Sequence, residues 1–471
     1  MKSSKEIFFA WSQNADINCY KKMLDYAPNY KIQFVWLIIL LGSTLATFYF
    51  IAKSILDFWS FSVVSQTNLI NDVPSQFPAV TFCDNNPFSS FESQLFMNKV
   101  AETNGISIND SINLMSTSLY HASYLSDEKR QRLGLSIEQI KCMYINTDCK
   151  HDLHWYWSWE YGNCFQFNSG LNLTNQKIEI KKSIRNGKDF GLNVTLFLFN
   201  KNKYFSSFEN GLVVFVHNSS FRPSQRVFIE PGKMTSIQVE RTFIQKQPQP
   251  YSDCIDLTTY SSELYDYISK IGQAYRQQDC FDLCLQKLLI KECKCYFPGI
   301  QNLNTYLRPC LNLTDFECIN QQYFNFNLNE CQQNYCPLEC DSIKYGLMMS
   351  SLVYPSQTLF DLFLSTDDSI RDLFESSLNQ SFNIDLYKSY AVSFKVFYPS
   401  LQYTLFTETP KMTLADLFSQ IGGALGLFVS FSIFTLFEFI ELFVLLIYGL
   451  LHSRKQNIYA LPTRLRLFSR N

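Results

Sequence analysis

A chain of 471 residues is long enough for one or two packed cores, and its 40 basic against 42 acidic side chains, net −2, argue against nucleic acid as a partner. The 43 Phe and 27 Tyr suit membrane-interface belts and β-rich domains. No nucleophile–base pair, phosphate loop or metal-ligand spacing is visible, so the chain is read as no enzyme, with no cofactor and no metal expected.

The first 33 residues hold many polar side chains and carry Lys2, Lys5, Lys21, Lys22 and Lys31. Residues 34–52, Phe34 to Ala52, form an apolar run long enough for one spanning helix. With 33 residues, many of them polar or charged, ahead of it, the run reads as an uncleaved signal anchor. A second apolar stretch occupies 414–451, followed by Arg454, Lys455, Arg464, Arg466 and Arg470 in a tail at 452–471. Basic residues outside both runs predict a plasma-membrane protein with two spans, both termini cytoplasmic and residues 53–413 extracellular. The basic tail is read as a stop-transfer flank that meets membrane lipid.

Cysteines and sequons agree with that topology. Fourteen of the 15 cysteines lie between the two runs, and only Cys19 lies outside. An even number in an oxidising compartment implies a disulfide framework. A structural zinc cluster is the competing reading of the same residues. All six Asn-x-Ser/Thr sequons, at Asn109, Asn172, Asn193, Asn218, Asn312 and Asn379, also fall between the runs and are candidate glycosylation sites.

Within 53–413, period-two alternation predicts strands at Trp155–Trp159, Leu192–Phe199, Val213–Val216, Ser236–Val239 and Val392–Phe397. Residues 91–144 lean towards helix. Helical spacing over Glu263–Leu289 places Cys280 and Cys284 on one face, and the cysteines that follow predict a stapled, protruding subdomain. His151 and His154 beside Asp148 and Asp152 form either a proton or metal site or a solvated loop.

In the second apolar stretch, steps of three or four residues connect Ser419, Gly423, Gly426, Ser430, Glu438 and Glu441 on one helical stripe. Two acids at membrane depth need water, a cation or a partner, which suits the wall of a cation pore. The alternative is that both acids reach the cytoplasmic interface and only snorkel. Gly422 and Gly426 form a small-xxx-small pair that lets helices approach closely.

Several motifs then stand in one order along the chain. Phe77 to Phe88 reads FPAVTFCDNNPF, and Tyr161 to Asn168 reads YGNCFQFN. Pro231-Gly232, Gln238 to Thr242, Pro250 to Cys254, Cys336 to Cys340 with Tyr345, and Ile421 to Phe428 follow. Taken together, from about Trp36 to Glu441, the chain resembles the degenerin, epithelial sodium channel and acid-sensing channel family. That resemblance implies a membrane protein of α+β class, a homo- or heterotrimer of related subunits. Two transmembrane helices would flank a β-rich ectodomain of palm, β-ball, finger, thumb (about 254–340) and knuckle.

It also implies seven disulfides: Cys83–Cys164, Cys142–Cys149, Cys254–Cys340, Cys280–Cys336, Cys284–Cys331, Cys293–Cys318 and Cys295–Cys310. By the same resemblance Ser419, Gln420 and Gly423 form the gate and Ser430, Phe431 and Ser432 the selectivity filter. Gly426 lies where amiloride lodges, and Glu438 and Glu441 become carboxylate rings of three. Phe61 would meet Tyr251 to couple thumb to pore. Permeant Na+ is expected, although Phe431 is bulkier than the family's usual central filter residue. The stimulus is read as a ligand such as a peptide or an extracellular-matrix component, as mechanical force, or as none in a constitutively active channel. Ala15-Asp16 stands where relatives carry His-Gly, and Ser62-Val63 replaces the histidine of acid-sensing members, so proton gating is not favoured. The alternatives are a non-conducting accessory subunit or surface receptor, and an ATP-gated purinergic-type channel.

Overall fold

In the computed structural model, residues 30–201, 209–219, 225–257, 260–271, 274–303, 306–310, 313–430, 432, 435–444 and 446–447 are described. Both tails' basic clusters apart from Lys31, Cys19, Ala15-Asp16, Asn312 and Phe431 lie outside these residues. The chain divides into two units, one of residues up to Val64 and from Thr409 onward, the other Ser65–Glu408.

In the first unit, helix α1 spans Tyr30–Trp59, starting before Phe34 and running past Ala52. It is the one helix among the described residues long and apolar enough to cross a membrane. Several of its hydroxyls are satisfied locally: Ser43, Thr44 and Thr47 donate to carbonyls one turn back at 2.8–2.9 Å. Such back-bonding is what a hydroxyl does where water is absent.

The second unit is a mixed α/β domain. Strands β1 (Val63–Asn71), β2 (Ser75–Gln76) and β3 (Ala79–Asp84) precede helices α2 (Phe91–Asn104) and α3 (Ser111–Ala122). Strands β4 (Ile140–Tyr144), β5 (Thr147–Asp148), β6 (Leu153–Ser158), β7 (Gly162–Phe167), β8 (Lys182–Ser183) and β9 (Leu192–Phe197) follow. Next come β10 (Leu212–His217), β11 (Arg226–Ile229), β12 (Lys233–Gln245) and β13 (Cys254–Ile255). The stapled region holds α4 (Glu263–Lys270), α5 (Gln277–Cys293), α6 (Leu313–Phe324) and α7 (Leu328–Asn334). Strands β14 (Leu338–Glu339) and β15 (Asp341–Val353), helices α8 (Asp368–Leu378) and α9 (Ile384–Tyr390), and strands β16 (Ala391–Phe397) and β17 (Gln402–Pro410) complete it.

Two sheets make the core. An eight-stranded sheet runs β1-β17-β12-β16-β9-β4-β5 with β15 added to β12, and a five-stranded sheet runs β11-β10-β3-β7-β6. Phe82, Phe167 and Val214 of the smaller sheet pack in one cluster with Val194, Ile237 and Phe394 of the larger. Alternation explains the packing: in β4, Ile140, Cys142 and Tyr144 are buried while Lys141 and Met143 are not. The long β12 pairs with β15 over its whole length. Its other edge pairs first with β16, from Met234 to Gln238, and then with β17, from Thr242 to Gln245.

Several sequence expectations change in detail. The helical run expected over Glu263–Leu289 is two helices, and the strand at Ser236–Val239 is the centre of a strand 13 residues long. Trp159 lies beyond β6 in the turn that follows it. The domain is less purely β than its alternation implied, because helices dominate the stapled region. Zinc is not what the cysteines hold: they are oxidised in seven bridges, Cys83–Cys164, Cys142–Cys149, Cys254–Cys340, Cys280–Cys336, Cys284–Cys331, Cys293–Cys318 and Cys295–Cys310. Strand β13 pairs with β14 beside the Cys254–Cys340 bridge, closing the stapled region at its root.

Candidate pore and gating residues

Helix α10 (Leu414–Val429) opens the second apolar stretch. Thr413 starts it with a reciprocal cap. Its hydroxyl accepts from the Asp416 amide at 3.2 Å, while the Asp416 carboxylate accepts from the Thr413 amide at 2.9 Å. This helix packs against α1 within the first unit: Phe50 and Phe428 stack at 5.4 Å, and Ser54 donates to Gln420 at 3.0 Å. Ser419 donates to the Ala415 carbonyl at 2.8 Å, so its hydroxyl is satisfied inside the helix. Ser419, Gln420, Gly422, Gly423 and Gly426 are all exposed in the single chain, and a Cβ built on Gly422 or Gly423 meets nothing within 4 Å.

The single helical stripe expected from the spacing does not exist. Helix α10 stops at Val429 because Ser430 adopts the left-handed conformation (φ 58°) and donates its amide to the Leu425 carbonyl, the usual chemistry of a helix C-cap. Helix resumes over 435–444, where Ser432 and Thr435 cap each other: the Ser432 amide donates to Thr435 Oγ1 at 3.0 Å and the Thr435 amide to Ser432 Oγ at 3.4 Å. Ser419, Gly423 and Gly426 therefore share one helix. Glu438 and Glu441 belong to the next, one turn apart, with Glu438 half-buried and Glu441 exposed. Ser430 and Ser432 bracket the break. The signal was faint in sequence, since Ser-x-Ser in an apolar run reads equally as a polar step on an unbroken helix.

The expected coupling pair falls in separate units. Phe61 sits in the first, in left-handed backbone (φ 46°) with its ring 6.4 Å from Phe58. Tyr251 sits in the second, in a turn closed by its amide to the Pro248 carbonyl at 3.1 Å.

A cleft of about 690 Å³ in the second unit went unrecognised in sequence. One wall is the β6–β7 turn with Trp157, Trp159 and Glu160, and the other is the start of α5 with Arg276, Asp279 and Asp282. Its charges are largely internally paired. Arg226 meets Glu160 at 2.8 Å, Tyr161 donates to the same carboxylate at 3.0 Å, and Arg276 grips Asp279 through two bonds of 2.9 and 3.0 Å. The alternating tryptophans were visible in the chain. Their convergence with a helix more than a hundred residues later was not.

The His151/His154 cluster does not converge. Asp152 pairs with Lys181 at 2.9 Å, Asp148 accepts from the Lys150 amide at 2.7 Å, His151 is exposed, and burial lowers the His154 pKa. Of the sequons, Asn109 and Asn379 are exposed, whereas Asn172, Asn193 and Asn218 are half-buried. Asn193 lies mid-sheet between Lys395 and Met143, with its side-chain oxygen buried, a poor position for a glycan.

The family model described as the amiloride-sensitive sodium channel matches residues 11–442. The chain belongs to the amiloride-sensitive sodium channel family. The match runs from before α1 into the second helical piece of the second apolar stretch, so it includes the break at Ser430. Similar curated proteins include degenerin mec-10 of Caenorhabditis elegans, 25% identical over 72% of this chain and 46% of its own length. Degenerin deg-1 of the same organism is 28% identical over 72% and 42%. The epithelial sodium channel subunit gamma of Neoceratodus forsteri is 27% identical over 69% and 50%. The chain thus spans half or less of the length of these relatives.

Proposed function

We propose that the chain is a pore-forming subunit of a sodium-conducting, amiloride-sensitive channel, assembled as a trimer with itself or with related subunits in the plasma membrane. The observation that carries this reading is the interruption of the helix at Ser430, with Ser432 also outside it. Backbone that leaves helical pairing inside an apolar stretch is tolerated in a membrane only where it is buried in protein or lines water. Carbonyls and hydroxyls released at such a break replace part of a cation's hydration shell.

On this reading both apolar stretches span the membrane with cytoplasmic termini. Ser419, Gln420 and Gly423 form the gate, Gly426 lies in the amiloride region, and Ser430, Phe431 and Ser432 form the filter. Glu438 and Glu441 then concentrate Na+ beyond it. The aromatic cleft between Trp157 and Arg276 is the natural seat for an extracellular ligand such as a peptide; force or constitutive opening needs no such site.

Voltage clamp of cells expressing the chain alone, with sodium replaced by a large organic cation and with amiloride added, tests the proposal. An inward current carried by sodium and blocked by amiloride is expected. Surface-expressed protein that conducts neither alone nor with a related subunit refutes it and leaves the accessory-subunit reading.

A further inference from the structure

The chain passes between the two units twice, once between Val64 and Ser65 inside β1 and once between Glu408 and Thr409 inside β17. These two strands are therefore the chain's two passages to the apolar helices. In the first unit the strand roots are tied directly: the Lys411 amide donates to the Ser62 carbonyl at 2.9 Å, and Thr409 Oγ1 to the Val64 carbonyl at 3.4 Å. In the second unit they converge on one side chain. Arg241 stands on β12 at the point where the partner on that edge changes from β16 to β17. Its guanidinium donates to Asp72, just past β1, at 2.8 Å and to Ser75 at 2.9 Å. It also lies over the rings of Tyr398 and Tyr403, at 4.8 and 5.6 Å from their centroids, and those residues flank and open β17. The segments it grips are bonded to one another as well, the Asp72 amide to the Leu401 carbonyl at 3.1 Å and the Tyr398 hydroxyl to the Gln76 carbonyl at 2.8 Å.

We propose that Arg241 is a positioning residue that clamps the roots of β1 and β17, the two strands that lead to the apolar helices, to the central strand. The proposal rests on the channel reading for its effect on current. Its energetics are asymmetric. The Arg241 side chain is 4% exposed and the Asp72 side chain 35%. Removing the cation leaves a carboxylate that water reaches; neutralising the carboxylate strands a buried cation, which is far more costly. The stacked tyrosines offset part of that cost, since a desolvated guanidinium is attracted to aromatic faces.

Hydrogen exchange on the full chain in lipid nanodiscs, read by mass spectrometry on peptides covering β1 and β17 with β10 as internal reference, tests the clamp. Exchange in β1 and β17 is expected to quicken by about 10-fold or more in D72N and by about 3-fold in R241M, with β10 unchanged. The double variant should match R241M alone, because the two side chains act as one unit. R241K, which keeps the charge but loses the planar fork, should fall between wild type and R241M and guards against a misfolded variant. Unchanged exchange in D72N and R241M, equal acceleration in β10, or strictly additive single effects would each overturn the proposal. Sodium current per surface channel, recorded for the same variants in an S419F background, should follow the same rank order; a current identical across variants whose exchange differs overturns the gating role. An S419F parent with no current refutes the channel reading, while the exchange result still decides the clamp.

Discussion

The hydroxyl of Ser54 on the first apolar helix donates to the side-chain oxygen of Gln420 on the second at 3.0 Å, one turn along the first helix from Phe50, whose ring stacks on Phe428. The pair joins a residue with no assigned role to one placed at the gate by resemblance. If the contact belongs to the resting arrangement, S54A should raise resting current by about 2–10-fold, the range expected for losing one hydrogen bond made in a single state. Combining S54A with Q420A should add nothing beyond either change alone. S419F should raise resting current further, because a bulky ring at the start of the small-residue face keeps neighbouring helices apart. Whole-cell recording normalised to surface protein reads all three, and unchanged currents would remove this region from the gate.

Ser430 ends α10 in a backbone conformation that costs a residue with a side chain about 1–2 kcal/mol and costs glycine nothing. S430G should therefore keep the break and the current. S430V, with a β-branched side chain that resists positive φ, should shift the backbone and with it the sodium-to-potassium permeability ratio. Reversal potentials in mixed sodium and potassium solutions make the comparison. A ratio insensitive to valine would separate the break from selectivity.

How much of this was legible in the chain depends on the range of the interaction. The seven bridges were reached through a resemblance that fixed their order, and β9, β10 and β16 through alternation that burial enforces residue by residue. Strands β1, β15 and β17 were invisible because none carries a period-two signal: β1 and β15 are largely exposed and β17 is half-buried almost throughout, with Met348, Met349, Leu352 and Val353 of β15 all exposed. The break at Ser430 was missed because composition reports apolarity and says nothing of φ. Arg241 looked like one more charge on a strand, and only the register of three strands against β12 shows that it is buried among tyrosines.

Glu438 and Glu441 lie one turn apart on the helix beyond the break. Two carboxylates near a narrow path raise local cation concentration, an effect that salt screens. E441Q should lower single-channel sodium conductance, and E438Q/E441Q should lower it by about 2–10-fold in dilute salt and less at high ionic strength. Conductance in patches at two salt concentrations measures this, and a double variant equal to wild type in both would dismiss the carboxylate rings.

Asp84 closes β3 beside the Cys83–Cys164 bridge and is buried. Burial pushes its pKa from 3.8 up to about 7, opposed by the Asn86 amide, which donates to its carboxylate at 2.9 Å, and by the Ser89 hydroxyl. Because the folded pKa lies above the unfolded one, the folded domain holds the proton more tightly. Its stability is then fully present below about pH 4 and falls as pH rises to about 7, after which this group contributes no further change. A tenfold difference in proton affinity between the folded and unfolded domain corresponds to about 1.4 kcal/mol. Asp84→Asn removes the titration while keeping the shape, so its melting temperature should change less between pH 5 and pH 8 than that of the wild type. The variant should also melt higher at pH 8, by about 2–4 °C or less for each kcal/mol recovered in a domain of this size. Thermal unfolding of both proteins in detergent at the two pH values measures the difference. Parallel pH dependences would mean that Asp84 keeps the same charge in the folded and unfolded domain, and that its hydrogen bonds compensate fully for its burial.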